Sequence, residues 1–582
     1  FAEFMAYKTL EHVMPDANAW KVFYERNKQA AYATDSTRGT TPIYQPIANL
    51  SAAKSAYGNI VYRKAPSFLR QAEFYLGPDK FQTAVRAFLK KHEYANATWQ
   101  DLVGEFENAS GQKLKQWGQN WITRPGVPIV RILDVQGASG CFSYSIQGSS
   151  PITQKFGLFA RFPNGNHLDT TELFTGERNY SSGCDFDLGA PTVILPNYGD
   201  YGYGIFLLDD KSREYVLHNI QNEKDPFLRS MMWGALWDSV REAEMDPREY
   251  VELVIKQLGG QPAQRGAQVA EARASARAIA KDGTPETDET TIQSLFGRVS
   301  IALNYYLPAS DIALAHARAS ATSDLRSRFE TVLLDRMQHA ETPGLRVTFF
   351  RAFVGNASTE HGRAVLKQML TWGASIPAGT SVATDRAKAS PKAADDNAKR
   401  AGMLAPQQGG PVVALRAKDK FDIVTRLIIL ADPDAPKLLA DLEKTETSDD
   451  AKRYAYAAHA AFATAENRAK FWNDFVNNKD ISESWIEAAI GPFNSIRYPE
   501  LSQPYLERAL KELPNLKRTR KIFFINNWLS AWLGGQRDQK GLDIVNKFLA
   551  DNPQLDNDLR LKILENVDVI ERSVRIRNKW NH

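Results

Sequence analysis

Tyr62 is the residue best placed to do chemistry, in the stretch Tyr57–Gly77, YGNIVYRKAPSFLRQAEFYLG. Aromatic and β-branched residues lead through Tyr62-Arg63-Lys64 into an apolar-periodic helix in which Leu69, Ala72, Glu73 and Leu76 keep a spacing of three and four. Gly77 and Pro78 stop it. A phenol at the entry of a helix is rigidly held and can still face a cleft, where it can donate a hydrogen bond to a developing oxyanion. The chain holds 21 tyrosines, and most tyrosines are packing residues, so this placement alone does not make Tyr62 catalytic.

Other chemistries find no set of residues here. The nine histidines are His12, His92, His167, His218, His316, His339, His361, His459 and His582. None has a partner at the i, i+4 spacing that holds zinc from one helix face. His92-Glu93 lacks a second histidine and reads as a solvated helix end. There is no Cys-x-x-Cys, phosphate-binding loop, dinucleotide fingerprint or Gly-x-Ser-x-Gly elbow.

Composition narrows the classes. The 582 residues imply about three or four domains. With 43% apolar and 24% charged residues, the chain reads as globular. A net charge of +4 from 72 basic and 68 acidic residues is too small to point to nucleic acid or an anionic membrane. No run approaches the ~18 apolar residues that a membrane-spanning helix needs.

The two cysteines, Cys141 and Cys184, leave two readings open. They are either buried thiols or one disulfide, and a bridge would place the protein outside the reducing cytosol, in a periplasmic or secreted setting. The neighbouring Gly and Ser favour the bridge.

The elements that must position Tyr62 follow from periodicity. Residues 1–125 read as helices, Phe1–Met14, Ala19–Ala33, the Tyr62 helix, Asp79–His92, one capped by Thr98 with Asp101 three residues on, and Leu114–Trp121. Residues 126–210 change to short alternating runs at Val127, Phe142, Phe156–Phe162 and Pro191–Leu195, separated by Gly, Asn, Pro and Ser at roughly 8–15 residues, which predicts a small β-sandwich. Residues 211–582 are helical in pattern, including Pro226–Ala243, Pro247–Leu258, Pro262–Ala280 and Thr290–Leu307, and predict stacked helix pairs in a solenoid. Gly373–Val413, rich in Ala, Pro, Gly, Ser and Lys, reads as a loop or insertion.

These segments together resemble the zinc aminopeptidase family of the aminopeptidase N type. Phe1-Ala-Glu-Phe-Met is similar to the continuation of the family's Asn-Glu-Gly-Phe-Ala segment, and Ile60-Val-Tyr62-Arg-Lys64 to its Tyr-x-Lys-Gly motif. Leu69-Arg70, Tyr75-Leu-Gly77, Tyr94-Ala-Asn96-Ala-Thr98, Asp101-Leu and Trp121–Pro128 follow in the family's order. Leu195-Pro-Asn197 with Tyr201-Gly-Tyr203 resembles the end of its β domain, and Met231-Met-Trp233-Gly-Ala-Leu-Trp237-Asp238 the start of its helical domain. Two departures stand out: Thr41-Pro42-Ile43 lacks the family's histidine between Thr and Pro, and Ala65-Pro66 replaces the glycine after the lysine. Proline is compatible with a first helical turn.

The resemblance implies a multidomain α+β protein. Its parts would be the helical lobe of a thermolysin-like catalytic domain, a β-sandwich and an all-α superhelical domain. It implies hydrolysis of N-terminal residues from peptides, zinc as cofactor, and Tyr62 stabilising the tetrahedral oxyanion. The zinc ligands would lie upstream of Phe1, in an N-terminal portion that would also be a packing partner, because none of the family's ligand motif is in this chain. Lys64 and Arg70 read as structural, on the helix surface or in inter-helix ion pairs. The alternatives are a non-catalytic peptide-binding or scaffolding relative and, further off, an unrelated helical-repeat protein, which would leave the order of motifs from Phe1 to Pro128 unexplained.

Overall fold

The computed structural model describes residues 1–49, 56–136, 141–147, 152–165, 167–174, 179–181, 190–259, 286–308, 316–372 and 415–580. The expected helix over Pro262–Ala280 and the loop over Gly373–Val413 lie outside them.

The first lobe is helical. Helix α1 (Ala2–Val13) buries Phe4. Helix α2 (Ala19–Phe23) runs through a π turn, Tyr24–Lys28, into α3 (Gln29–Asp35). The widened turn changes the phase of the buried face, so that Glu25, Lys28, Tyr32 and Asp35 all point inward. A second π turn, Ile60–Lys64, feeds α4 (Ala65–Leu76), which takes Pro66 in its first turn and stops at Gly77 with φ 87°. Phe68, Leu69, Ala72 and Leu76 of α4 enter the core at three- and four-residue spacing. Helices α5 (Pro78–Lys91), α6 (Trp99–Ser110) and α7 (Lys115–Thr123) close that core with Phe81, Phe106, Trp117 and Trp121. The expected capping box of α6 is present. The Thr98 hydroxyl accepts from Asp101 N at 3.3 Å, and the Asp101 carboxylate accepts from Thr98 N at 2.8 Å.

Seven strands follow among the described residues: β1 (Ile129–Gln136), β2 (Cys141–Gln147), β3 (Gln154–Arg161), β4 (His167–Phe174), β5 (Asn179–Ser181), β6 (Val193–Tyr198) and β7 (Ile205–Leu207). They form two sheets, ordered β5-β2-β1-β7 and β4-β3-β6, antiparallel except for the parallel pair β1–β7. Val130, Ile132 and Phe206 of the first sheet share one buried cluster with Phe156, Leu158 and Ile194 of the second. Strands β4 and β5 lie outside the expected runs.

The expected bridge is corrected here. Among the described residues no two cysteines lie within bonding distance. Cys141 opens β2, where it is paired across the sheet with Gln136, and Cys184 lies outside the described residues. A disulfide needs Cα atoms within about 4.4–6.8 Å, so the extracytoplasmic assignment loses its support.

Helices α8 (Asp210–Asn219), α9 (Pro226–Arg241), α10 (Pro247–Gln257) and α11 (Glu289–Ile301) start on aspartate N-caps. The chain packs as two compact units, Phe1–Leu325 with Ser502–His582, and Arg326–Leu501. Within the second, helices Ala417–Ile429, Asp449–Ala460 and Glu483–Phe493 bury Phe421, Leu427, Ala458 and Phe493. In the first, the last helix, α12 (Asn557–Trp580), lies against the Thr34–Gly39 segment.

The Tyr62 cleft

Tyr62 sits midway along the second π turn, its backbone N–H bonded to the Gly58 carbonyl at 3.1 Å. The residue is 51% exposed, and its ring meets that of Tyr57 edge-on, with centroids 5.8 Å apart. It lines a cleft of about 1000 Å³ whose other walls include Thr34, Gly39 and Thr41 from the first lobe, and Phe523, Lys562 and Glu565 from the last helices. A half-exposed phenol on a short rigid turn can offer its proton to a molecule in the cleft.

Two residues on, Lys64 faces the other way and is fully buried. Its ammonium pairs with Asp35 Oδ2 at 2.7 Å and donates to the Gly126 carbonyl at 3.1 Å. Burial lowers the Lys64 pKa from its ordinary range, against the pull of Asp35. The Asp35 carboxylate also accepts from Gly126 N at 2.8 Å, the Thr40 hydroxyl at 2.5 Å and the Tyr203 hydroxyl at 3.1 Å. Lys64 is thus an inter-element ion pair, as one of its two expected roles had it.

Arg70 is structural, as expected, but neither on the helix surface nor in an ion pair to a carboxylate. It is buried, and its guanidinium donates to the Asp200 and Gly199 carbonyls at 3.2 and 2.8 Å, not to a carboxylate. Its plane lies 3.8 Å from the Trp20 ring centroid and 4.7 Å from that of Tyr201. Next to it, Gln71 donates to the Lys155 and Tyr201 carbonyls. Lys28 joins the same turn through Asp200 at 2.8 Å, both side chains fully buried. Burial pushes the Lys28 ammonium down to about 8 and the Asp200 carboxyl up. The β6–β7 turn is therefore the anchor onto which α3, α4 and the Tyr62 turn are bound.

Sequence reasoning missed Asp35, Asp200 and Lys28. Nothing in a linear pattern marks which of 68 acidic residues will neutralise a given buried lysine. Among the described residues no three His, Cys, Asp or Glu side chains converge as a metal site. The residues present do not fit a zinc ion, and none is assigned to one.

Residues 1–121, which carry Tyr62, Lys64, Asp35 and Arg70, match the Peptidase family M1 domain. Over 578 residues the chain is 24% identical to aminopeptidase N of Streptomyces lividans, covering 96% of this chain and 59% of that protein. The chain is thus similar to aminopeptidase N-type peptidases, and its first 121 residues match the M1 peptidase domain. Two archaeal relatives match shorter stretches. Leucyl aminopeptidase of Saccharolobus solfataricus is 33% identical over 132 residues, or 23% of this chain and 17% of the relative. Tricorn protease-interacting factor F2 of Thermoplasma volcanium is 30% identical, with the same coverage of both. The chain thus spans about three fifths of one relative and a sixth of the others.

Proposed function

We propose that the protein acts in hydrolysis of N-terminal residues from peptides, with Tyr62 donating a hydrogen bond to the oxyanion of the tetrahedral intermediate. The observation that carries this is the exposed Tyr62 phenol on the wall of the cleft, inside the segment that matches the M1 peptidase domain. The relatives named as aminopeptidases support the reaction class. M1 peptidases generally use zinc to activate water, and zinc is implied for this protein by its family alone.

What this chain's own residues supply is orientation. The π turn fixes the phenol, Lys64 and Asp35 fix the turn, and the β6–β7 block fixes α4 behind it. In the same reading residues 1–125 are the helical part of a thermolysin-like catalytic domain, and residues 126–210 are a β-sandwich, which the shared core of the two sheets supports. Residues 211–582 are then a superhelical domain.

One oxyanion donor typically contributes about 3–4 kcal/mol to the barrier, or 10²–10³ in kcat. The test is steady-state peptidase kinetics of the full-length protein against its Tyr62→Phe variant. A fall of about 10²-fold or more in kcat is expected. Unchanged kcat would remove Tyr62 from the chemistry, and absence of peptidase activity in metal-loaded protein would remove the reaction.

A further inference from the structure

We propose that Asp35 is a positioning residue for Tyr62, holding its π turn against the cleft wall through Lys64. The inference rests on the proposed role of Tyr62 and names what sets that role's geometry.

Residues two apart on a helical turn do not share a face. Tyr62 therefore points into the cleft because Lys64 points into the protein, and what fixes Lys64 fixes Tyr62. The ammonium is wholly enclosed, with Asp35 as its carboxylate at 2.7 Å and backbone carbonyls of Gly126 and Arg124 at 3.1 and 3.5 Å. Asp35 is equally enclosed. Its two oxygens collect four partners from four parts of the chain: Lys64 on the Tyr62 turn, Thr40 on the loop after α3, Gly126 at the entry to the strands, and Tyr203 beyond β6. A buried ammonium cannot keep its place without a counter-charge. Without the Asp35 charge, the turn must open until Lys64 reaches water, and Tyr62 moves with it. An oxyanion donor that moves by about 1 Å loses most of its effect on kcat, while contacts that bind the rest of a substrate are untouched.

The experiment is a double-mutant cycle on the full-length protein, with Asp35→Asn made in the wild-type and Tyr62→Phe backgrounds. Asp35→Asn is expected to lower kcat about 10- to 100-fold in the wild type, with KM within about threefold, and less than about threefold in Tyr62→Phe. A purely structural pair would give equal losses in both backgrounds, and that result, or no loss, overturns the proposal.

A second readout does not depend on what Tyr62 does. Amide hydrogen exchange over residues 57–67 should speed up at least about tenfold in Asp35→Asn, and unchanged exchange there overturns the positioning role. Unchanged kcat in Tyr62→Phe alone would instead sink the catalytic reading while exchange still decides this one. If Asp35→Asn does not fold, Tyr203→Phe removes one donor from the same carboxylate. It should lower kcat about threefold in the wild type and not in Tyr62→Phe, and equal effects in both overturn the proposal.

Discussion

Gly39 lies so close to Leu561 that a Cβ on it would come within 2.1 Å of the Leu561 carbonyl oxygen and 2.3 Å of Glu565 N. This is where the loop after α3 meets α12, and the contact is extended on both sides. The Thr34 hydroxyl donates to Glu565 at 3.2 Å, the Ser36 hydroxyl accepts from Arg572 at 3.0 Å, and Arg38 pairs with Glu571. Backbone cannot give way as a side chain can, so Gly39→Ala should push the loop off the helix. We expect a loss of about 2–3 kcal/mol of stability, read as a lower denaturant midpoint at unchanged m-value. A midpoint equal to wild type would show that the loop and helix are not held together there.

Arg70→Lys is not a conservative change at this site. A lysine cannot stack a flat cation between Trp20 and Tyr201 while donating to the carbonyls of Gly199 and Asp200. The expected cost is about 1–3 kcal/mol in chemical denaturation. Retained stability would mean the stacking contributes little.

Asp238, buried in α9, gives a pH dependence of definite sign. Burial pushes its carboxyl up from 3.8 to about 6, against the opposing pull of Arg241 and Arg298. A raised carboxyl pKa means that the folded state binds the proton more tightly than the unfolded chain. The cost of the buried charge is full above pH 6 and is relieved as the pH falls from 6 towards 4. Asp238→Asn should therefore stabilise the protein by about 2–3 kcal/mol at pH 7.5, with the gain shrinking below pH 5. Melting temperatures of the two proteins at both pH values check it, and a pH-independent difference would refute it.

Asp288 has the opposite sign. Partial burial would raise its pKa, but the Lys21 ammonium and the Thr291 N–H hold it down to about 2. Its stabilisation is present above pH 4 and is lost as the pH falls through 2. Asp288→Asn keeps a side-chain cap for α11 and removes the charge beside Lys21. The variant should lose about 1–2 kcal/mol at pH 7, discounted for the side chain's partial exposure, and match wild type near pH 2. Urea titrations at the two pH values would show it.

Several elements were legible in the sequence for reasons that are local. The apolar spacing of Leu69, Ala72 and Leu76 marked α4, Gly77 marked its end, and Thr98 with Asp101 marked the capped start of α6. Strand β4, HLDTTELF, escaped because Thr, Asp and Glu dilute its apolar pattern, and among the described strands it lies at the edge of its sheet beside β3. The two π turns of the first lobe were not legible, because one extra residue in a turn leaves no compositional trace.

The sequence by itself determined many of the helices, most of the described strands and, through the ordered motifs around Tyr62, the family they resemble. It also showed that no zinc-binding histidine pair lies on one helix face of this chain. Only the tertiary structure decided that Asp35 meets Lys64, that Asp200 meets Lys28, and that Tyr62 shares a cleft with the last helices. The pairings Lys28–Asp200 and Lys64–Asp35, and the approach of Gly39 to Leu561, join residues far apart in the chain. Periodicity reports which face of an element is buried. Which buried charge meets which is set by the packing of elements from distant parts of the chain, where leaving a buried charge unpaired is too costly to tolerate.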